Sequence, residues 1–164
     1  MGSSKGLVST MNRCVRLYRR SVPERVEVHL PGSKSITNRA LLMAALARGR
    51  TSLGRVLDSD DTRHMARALQ SLGVDVAWDE DESTATIVGG DGHVPRRAGS
   101  IFVGNAGTAA RFLTVALSLW PGSFRLDGVA RMRSRPIAPL LTALRALGGQ
   151  LTGTEAPDCI PLQI

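Results

Sequence analysis

The chain has 164 residues, 43% hydrophobic and 21% charged with mean hydropathy near zero, the make-up of one ordinary globular domain able to bury a core. Aromatic content of 4% and two cysteines exclude a stacking platform for single-stranded nucleic acid and a disulfide scaffold, and no apolar run approaches the roughly 20 residues that cross a bilayer. The formal charge of +7 is no nucleic-acid signal either, because Lys5, Arg13, Arg16, Arg19 and Arg20 fall in the first 22 residues without an acid, leaving 16 bases against 14 acids in the rest.

Residues 1–24 read as a basic tail outside the domain: a disordered or tag segment, an over-long start ahead of Met11, or, being Arg- and Ser-rich, a transit peptide. The expected location is cytoplasmic, or a plastid or other organelle if the tail is a targeting signal. Val26–Leu30 alternates apolar and polar residues as a strand does. The turn Pro31–Ser33 opens a helix predicted from Ile36 to about Arg48, with Gly49 as its stop. Asp60 or Asp61 is expected to cap a second helix that runs through Leu72 and ends at Gly73. Strands at Val74–Trp78 and Thr84–Val88 follow, on either side of an acidic turn at Asp79–Asp81.

The second half repeats this grammar. A shift of 75 carries Met65, Leu69 and Leu72 onto Leu140, Leu144 and Leu147, and the helix stop Gly73 onto Gly148. A shift of 72 carries Gly32, Arg39 and Leu41 onto Gly104, Arg111 and Leu113. The expected fold is therefore α/β, a partial domain at 25–164 made of pseudo-repeated β-α-β-α-β-β units at about 31–90 and 101–164.

Three segments carry possible chemistry. In Pro31-Gly32-Ser33-Lys34-Ser35-Ile36-Thr37-Asn38-Arg39, a Gly-Ser turn at a helix start offers unpaired N–H groups and the positive end of the macrodipole beside Lys34, Ser35 and Arg39, an anion site if it is more than a Ser cap with two solvated cations. The P-loop spacing is absent. Gly104-Asn105-Ala106-Gly107-Thr108-Ala109-Ala110-Arg111 is its repeat partner, suited to close approach of a carboxylate or phosphate, or simply to tight helix packing. If Arg131-Met132-Arg133-Ser134-Arg135-Pro136 is extended, Arg131, Arg133 and Arg135 face the same way and chelate an anion; the alternative is a solvated charge run. Asp58-Ser59-Asp60-Asp61 suggests Mg²⁺ less well than helix capping. His29, His64 and His93 lack ligand spacing, and Cys14 and Cys159 lie outside any motif, so no metal site and no nucleophile–base pair is expected.

LPGSKSITNRALLMAALA, LDSDDTRHMARALQSLGV, FVGNAGTAARFL and DGVARMRSRPI, in this order and spacing, resemble the N-terminal part of the 5-enolpyruvylshikimate-3-phosphate synthase family from about Val26 to Ile164. The related transferase acting on UDP-N-acetylglucosamine shares the fold but lacks the Lys-Ser-x-x-x-Arg arrangement. The resemblance implies an enolpyruvyl transferase-like fold of two domains, each of three such units around a substrate cleft, so that this chain holds two of the three units of one domain. It implies a shikimate-pathway transferase of aromatic amino-acid biosynthesis that uses phosphoenolpyruvate and shikimate-3-phosphate and no cofactor, with neither nucleic acid nor membrane as a partner. Lys34 matches the position that contacts both ligands, Ser35 and Arg39 match shikimate-3-phosphate positions, and Gly107 and Arg131 match phosphoenolpyruvate positions. The acid–base residues belong to the family's second half, so this chain is expected to need that C-terminal half and to be inactive alone. The alternative is a stand-alone anion-binding or regulatory module that keeps the fold without catalysis. The sequence departs from the family at Ala110-Arg111-Phe112, where many members have Met-Arg-Pro, which bears on inhibitor sensitivity.

Overall fold

The computed structural model describes residues 25, 27, 28 and 30–164. Val26, His29 and the basic tail lie outside the described residues, and Glu27, Val28 and Leu30 belong to no strand, so the expected first strand is not formed by them.

Helix α1 (Lys34–Leu46) starts two residues earlier than expected, because Ser33 caps it: the Ile36 N–H donates to Ser33 Oγ at 3.5 Å. It also stops earlier. Ala47 is extended, and Gly49 lies inside strand β1 (Arg48–Leu53) rather than closing the helix. The reason is tertiary: β1 pairs along its whole length with β3 (Thr84–Gly90), from Arg48↔Gly90 to Leu53↔Ala85, and that ladder outweighs the high helical preference of Ala47 and Arg48.

Helix α2 (Asp60–Ser71) is capped by Ser59, not by Asp60 or Asp61. Ser59 and Thr62 form a reciprocal box, the Thr62 N–H donating to Ser59 Oγ at 3.4 Å and the Ser59 N–H to Thr62 Oγ1 at 3.1 Å. Neither acid is used by the cap, and both stand in the first turn at the positive end of the helix. Just before the cap, Asp58 accepts from Arg63 Nε and Nη2 at 2.6 and 3.0 Å, and the same guanidinium pairs with Glu80 and stands 4.6 Å from the Trp78 ring centre. This clamp ties α2 to the hairpin of β2 (Asp75–Asp79) and β3, which pair antiparallel to complete the order β1-β3-β2.

The second half comprises β4 (Ala98–Phe102), α3 (Gly107–Leu119), β5 (Ser123–Asp127), the single turn α4 (Ala130–Arg133), α5 (Ala138–Ala146), β6 (Thr152–Gly153) and β7 (Leu162–Gln163). Its sheet has the order β4-β5-β7-β6, with β4 parallel to β5 and the other pairs antiparallel. Helices α1 and α3 are both 13 residues long and start 73 positions apart.

Helices α2 and α5 end in the same way. The Gly73 and Val74 N–H groups donate to Gln70 and Leu69 carbonyls, and 75 positions later Gly148 and Gly149 donate to Arg145 and Leu144. Both closures need a left-handed residue, supplied by Gly73 at φ 88° and Gly148 at φ 94°. The surroundings differ. Helix α2 packs on α1, α3 and β4, which buries Met65, Leu69 and Leu72 in a core shared by the two halves, whereas Leu147 is 85% exposed.

Leu72→Ala, at a site 1% exposed, should cost about 2–5 kcal/mol. Leu147→Ala, its counterpart in the repeat, should stay within about 0.5 kcal/mol. Urea unfolding of the two variants checks this contrast. The Arg63 hydrogen bonds hold the Asp58 carboxyl below the usual carboxylate range. A folded-state value below the unfolded one stabilises the fold above the ordinary aspartate value of about 4 and loses that contribution as pH falls through the lowered value. The melting-temperature gap between the parent and Asp58→Asn should therefore be constant near neutrality and shrink on acidification below about pH 4.

Candidate functional site

Three helix starts meet at one cavity of about 330 Å³. Lys34 is the first residue of α1, Asp61 lies in the first turn of α2, and Gly107 and Thr108 open α3; Asn105, Arg111 and Arg135 complete the lining. Lys34 Nζ stands 3.1 Å from Asp61 Oδ2, so the lysine is held at the rim by the acid that the Ser59 cap leaves free. Three cations face one carboxylate. Helix α3 has Ala106 at its cap position and no side-chain cap bond, so its first-turn N–H groups are left for a ligand. Gly107 keeps the backbone open on this side: a β-carbon there would stand 3.1 Å from Arg135 Nη1, the mobile end of a long side chain, and in ordinary contact at 3.6 Å with Arg111 Nη1. Cationic walls, unpaired amides and a backbone that can be approached closely suit a phosphate or carboxylate better than a neutral ligand.

Of the residues singled out from sequence, Lys34 and Gly107 are brought together here. Ser35 follows Lys34 on α1, half-buried, and its carbonyl accepts from Arg39 Nη1 at 3.2 Å. Arg39 turns away from the cavity and sits 5.3 Å from the ring centre of Phe112. Arg131 is exposed on α4 and does not line the cavity.

The expected extended row of arginines is not formed. Residues 130–133 make a helical turn in which the Ser134 N–H donates to the Ala130 carbonyl, so the three side chains diverge. Arg133 is taken by Asp127, at 2.9 Å from Nε to Oδ1 and 2.8 Å from Nη2 to Oδ2, and by Glu155 at 3.0 Å. Those carboxylates hold its guanidinium firmly protonated, Asp127 contributing most. Only Arg135 reaches the cavity.

Of the other lining residues, Asn105, Thr108 and Arg111 lie in the Gly104–Arg111 segment and Arg135 in the arginine row, without a role of their own from sequence, and Asp61 was expected only in a cap or acidic cluster. Asp61 had a competing explanation as a cap. Arg111 carried a signal, since the repeat sets it on Arg39. Among the described residues no group of three or more His, Cys, Asp or Glu side chains is placed to hold a metal ion, and no helix is long and apolar enough to cross a membrane.

A model of the EPSP synthase (3-phosphoshikimate 1-carboxyvinyltransferase) family matches residues 20–164. The chain belongs to the EPSP synthase family. It is 56% identical over 124 residues to a 3-phosphoshikimate 1-carboxyvinyltransferase of Thiobacillus denitrificans, covering 76% of this chain and 29% of the relative. A Sulfurovum protein of the same description is 49% identical over 139 residues, covering 84% of this chain and 33% of the relative. EPSP synthase from Acinetobacter baumannii has a solved structure that aligns at a TM-score of 0.78 and 28% identity over 84% of this chain and 31% of that one. The chain thus spans about a third of the length of the curated relatives it matches.

The cavity's charge balance sets a measurable order of anion affinity. Lys34→Ala and Arg135→Ala should each weaken inorganic phosphate binding about tenfold, the loss of one charge-assisted contact. Asp61→Asn should tighten it, more at low salt than at high salt, because it removes the one carboxylate in the lining. Isothermal titration of the four proteins at two salt concentrations checks the order.

Proposed function

We propose that this chain supplies part of the active site of an enolpyruvyl transferase that moves the enolpyruvyl group of phosphoenolpyruvate to the 5-hydroxyl of shikimate-3-phosphate. The 5-hydroxyl gives up its proton to a base as its oxygen adds to C2 of phosphoenolpyruvate and an acid protonates C3; loss of a C3 proton then restores the double bond as the C2–O bond breaks and phosphate leaves. In this reading Lys34 touches both substrates, Ser35 and Arg39 hold shikimate-3-phosphate, and Gly107 and Arg131 hold phosphoenolpyruvate. The units described above are two of three in one domain, and the acid–base groups and the facing wall of the cleft come from polypeptide beyond this sequence.

The observation that carries the reading is the meeting of Lys34 and Gly107. They are the first residues of α1 and α3, 73 positions apart in equivalent places of the repeat, and they line one cationic cavity. The family resemblance assigns both to phosphoenolpyruvate on motif grounds alone. Such a site works by fixing two anions in register and by meeting charge that redistributes on phosphate departure. A stand-alone anion-binding module makes the competing prediction, since the cavity needs nothing outside the chain to exist.

The purified chain should release no phosphate from the two substrates. Activity should appear when it replaces the matched segment of the Thiobacillus denitrificans relative. In that chimera Lys34→Ala should lower kcat and weaken both substrates, whereas Arg131→Ala should chiefly raise KM for phosphoenolpyruvate, each contact being worth on the order of 2–4 kcal/mol. Turnover by the isolated chain, or a Lys34→Ala chimera with normal kcat and KM, would overturn the assignment.

A further inference from the structure

Four polar side chains are buried among the described residues, and three of them are paired inside the protein. Thr37 Oγ1 accepts from the Leu57 N–H at 3.1 Å, Thr62 Oγ1 donates to the Leu57 carbonyl at 2.7 Å, and Thr114 Oγ1 donates to the Ala110 carbonyl at 2.7 Å. Asn38 is the exception. It is 0% exposed on α1, and neither its Oδ1 nor its Nδ2 has a hydrogen-bond partner. An amide buried without partners costs stability, and native folds rarely keep one without a use.

The packing of the helix does not ask for it. The buried positions 37, 38, 41, 44 and 45 of α1 recur 72 residues on at 109, 110, 113, 116 and 117 of α3, so the equivalent of Asn38 is Ala110, equally buried. A small apolar residue fills that place in the second half. The cavity supplies a reason for the amide. Asn38 lies one turn after Lys34 on the same face of α1, the face from which Lys34 reaches Asp61 of α2 at 3.1 Å. Helical side chains lean back toward the N-terminus, which directs the amide to the turn of Lys34. One helical pitch of about 5.4 Å separates the two turns, close to the span of two hydrogen bonds of about 2.8 Å joined by a single water.

We propose that Asn38 is a positioning residue for the anion in this cavity: its amide holds one water at the base of the cavity, and that water hydrogen-bonds the phosphate or carboxylate beside Lys34. The inference rests on the reading of the cavity as an anion site, and not on turnover. A water so placed has the amide, the anion and the Lys34–Asp61 pair as partners, within the roughly two to four that hold a buried water. Binding then makes hydrogen bonds that the folded chain alone leaves unmade, so stability given up at Asn38 returns as affinity. The amide carries no charge. Its contribution is therefore a neutral hydrogen bond that salt does not screen, unlike that of Lys34.

Thermal melting and isothermal titration with inorganic phosphate, on the parent chain, Asn38→Leu and Asn38→Ala, test this. Asn38→Leu keeps the branched shape and removes the polar atoms. Its melting temperature should rise by at least about 2 °C while phosphate affinity falls about fivefold, by the same factor at low and high salt. Should leucine overfill the site, Asn38→Ala, the residue that the repeat carries at 110, should lose affinity to the same extent with a melting temperature within about 2 °C of the parent's. A crystal structure of the phosphate complex should show the water bonded to both Asn38 and the phosphate. Affinity equal to the parent's, or a melting temperature more than about 2 °C lower in both variants, shows that the amide serves the fold and overturns the inference. So does an amide bonded in the crystal to protein groups alone or straight to phosphate, and so does a parent chain that binds no phosphate. An active Thiobacillus denitrificans chimera whose phosphate affinity Asn38→Leu leaves untouched sinks this inference alone. An inactive chimera beside the expected pattern in the isolated chain sinks the proposed function alone.

Discussion

The burial of α2 between the two halves is the constraint on which the rest of the structure depends. Its stripe of Met65, Leu69 and Leu72 is withdrawn from water by α1 on one side and by α3 and β4 on the other. Together with the packing of α1 on α3, the contacts of α2 join a three-stranded sheet to a four-stranded one. Because the helix is fixed along its length, its first turn is fixed too, which sets Asp61 beside Lys34 and close to the start of α3. The cavity is thus a consequence of core packing, and its geometry is as stiff as that core.

Electrostatics then decide which charges are free to act. Arg63 is engaged by Asp58 and Glu80, and Arg133 by Asp127 and Glu155. These cations serve the fold: one fastens α2 to the β2–β3 hairpin, the other fastens α4 to β5 and to the loop ahead of β7. Lys34 has a partner too, but the lysine is half-exposed and the pair lines a cavity that also holds Arg111 and Arg135. Asp61 keeps the lysine in place and moderates the repulsion among the three cations of the cavity. An arriving phosphate or carboxylate takes over that compensation.

Phe112 gives the site a feature of its own. Its ring lies under the Arg39 guanidinium, which also donates to the Ser35 carbonyl, so the arginine is ordered on the outer side of α1 rather than pointing into the cavity. Arg39 also borders an apolar groove beside β1. The first turns of α1 therefore separate a polar cavity on one face from an apolar groove on another, and the spacing of Lys34 and Arg39 along one helix puts a charge beside each.

The sequence by itself determined the local elements and the repeat. The stripe 65, 69, 72 and its recurrence 75 positions later, the helix-closing glycines at 73 and 148, and the Gly-rich starts of α1 and α3 were all legible, because helical periodicity and caps are properties of neighbouring residues. Lys34 and Gly107 were legible as residues at those helix starts for the same reason. Tertiary structure decided the rest. Whether Arg48 and Gly49 closed a helix or opened a strand depended on β3, some thirty to forty residues away in sequence. Whether 131–135 ran extended depended on Asp127 and Glu155 competing for Arg133 while the backbone closed a turn. That Asp61 is a partner of Lys34 and not a cap, and that Leu72 is core while its repeat Leu147 faces water, followed from which segments pack against them. Periodicity records which face of a helix is apolar; what covers that face, and which opposite charge lies across the gap, is set by contacts between residues distant in the chain.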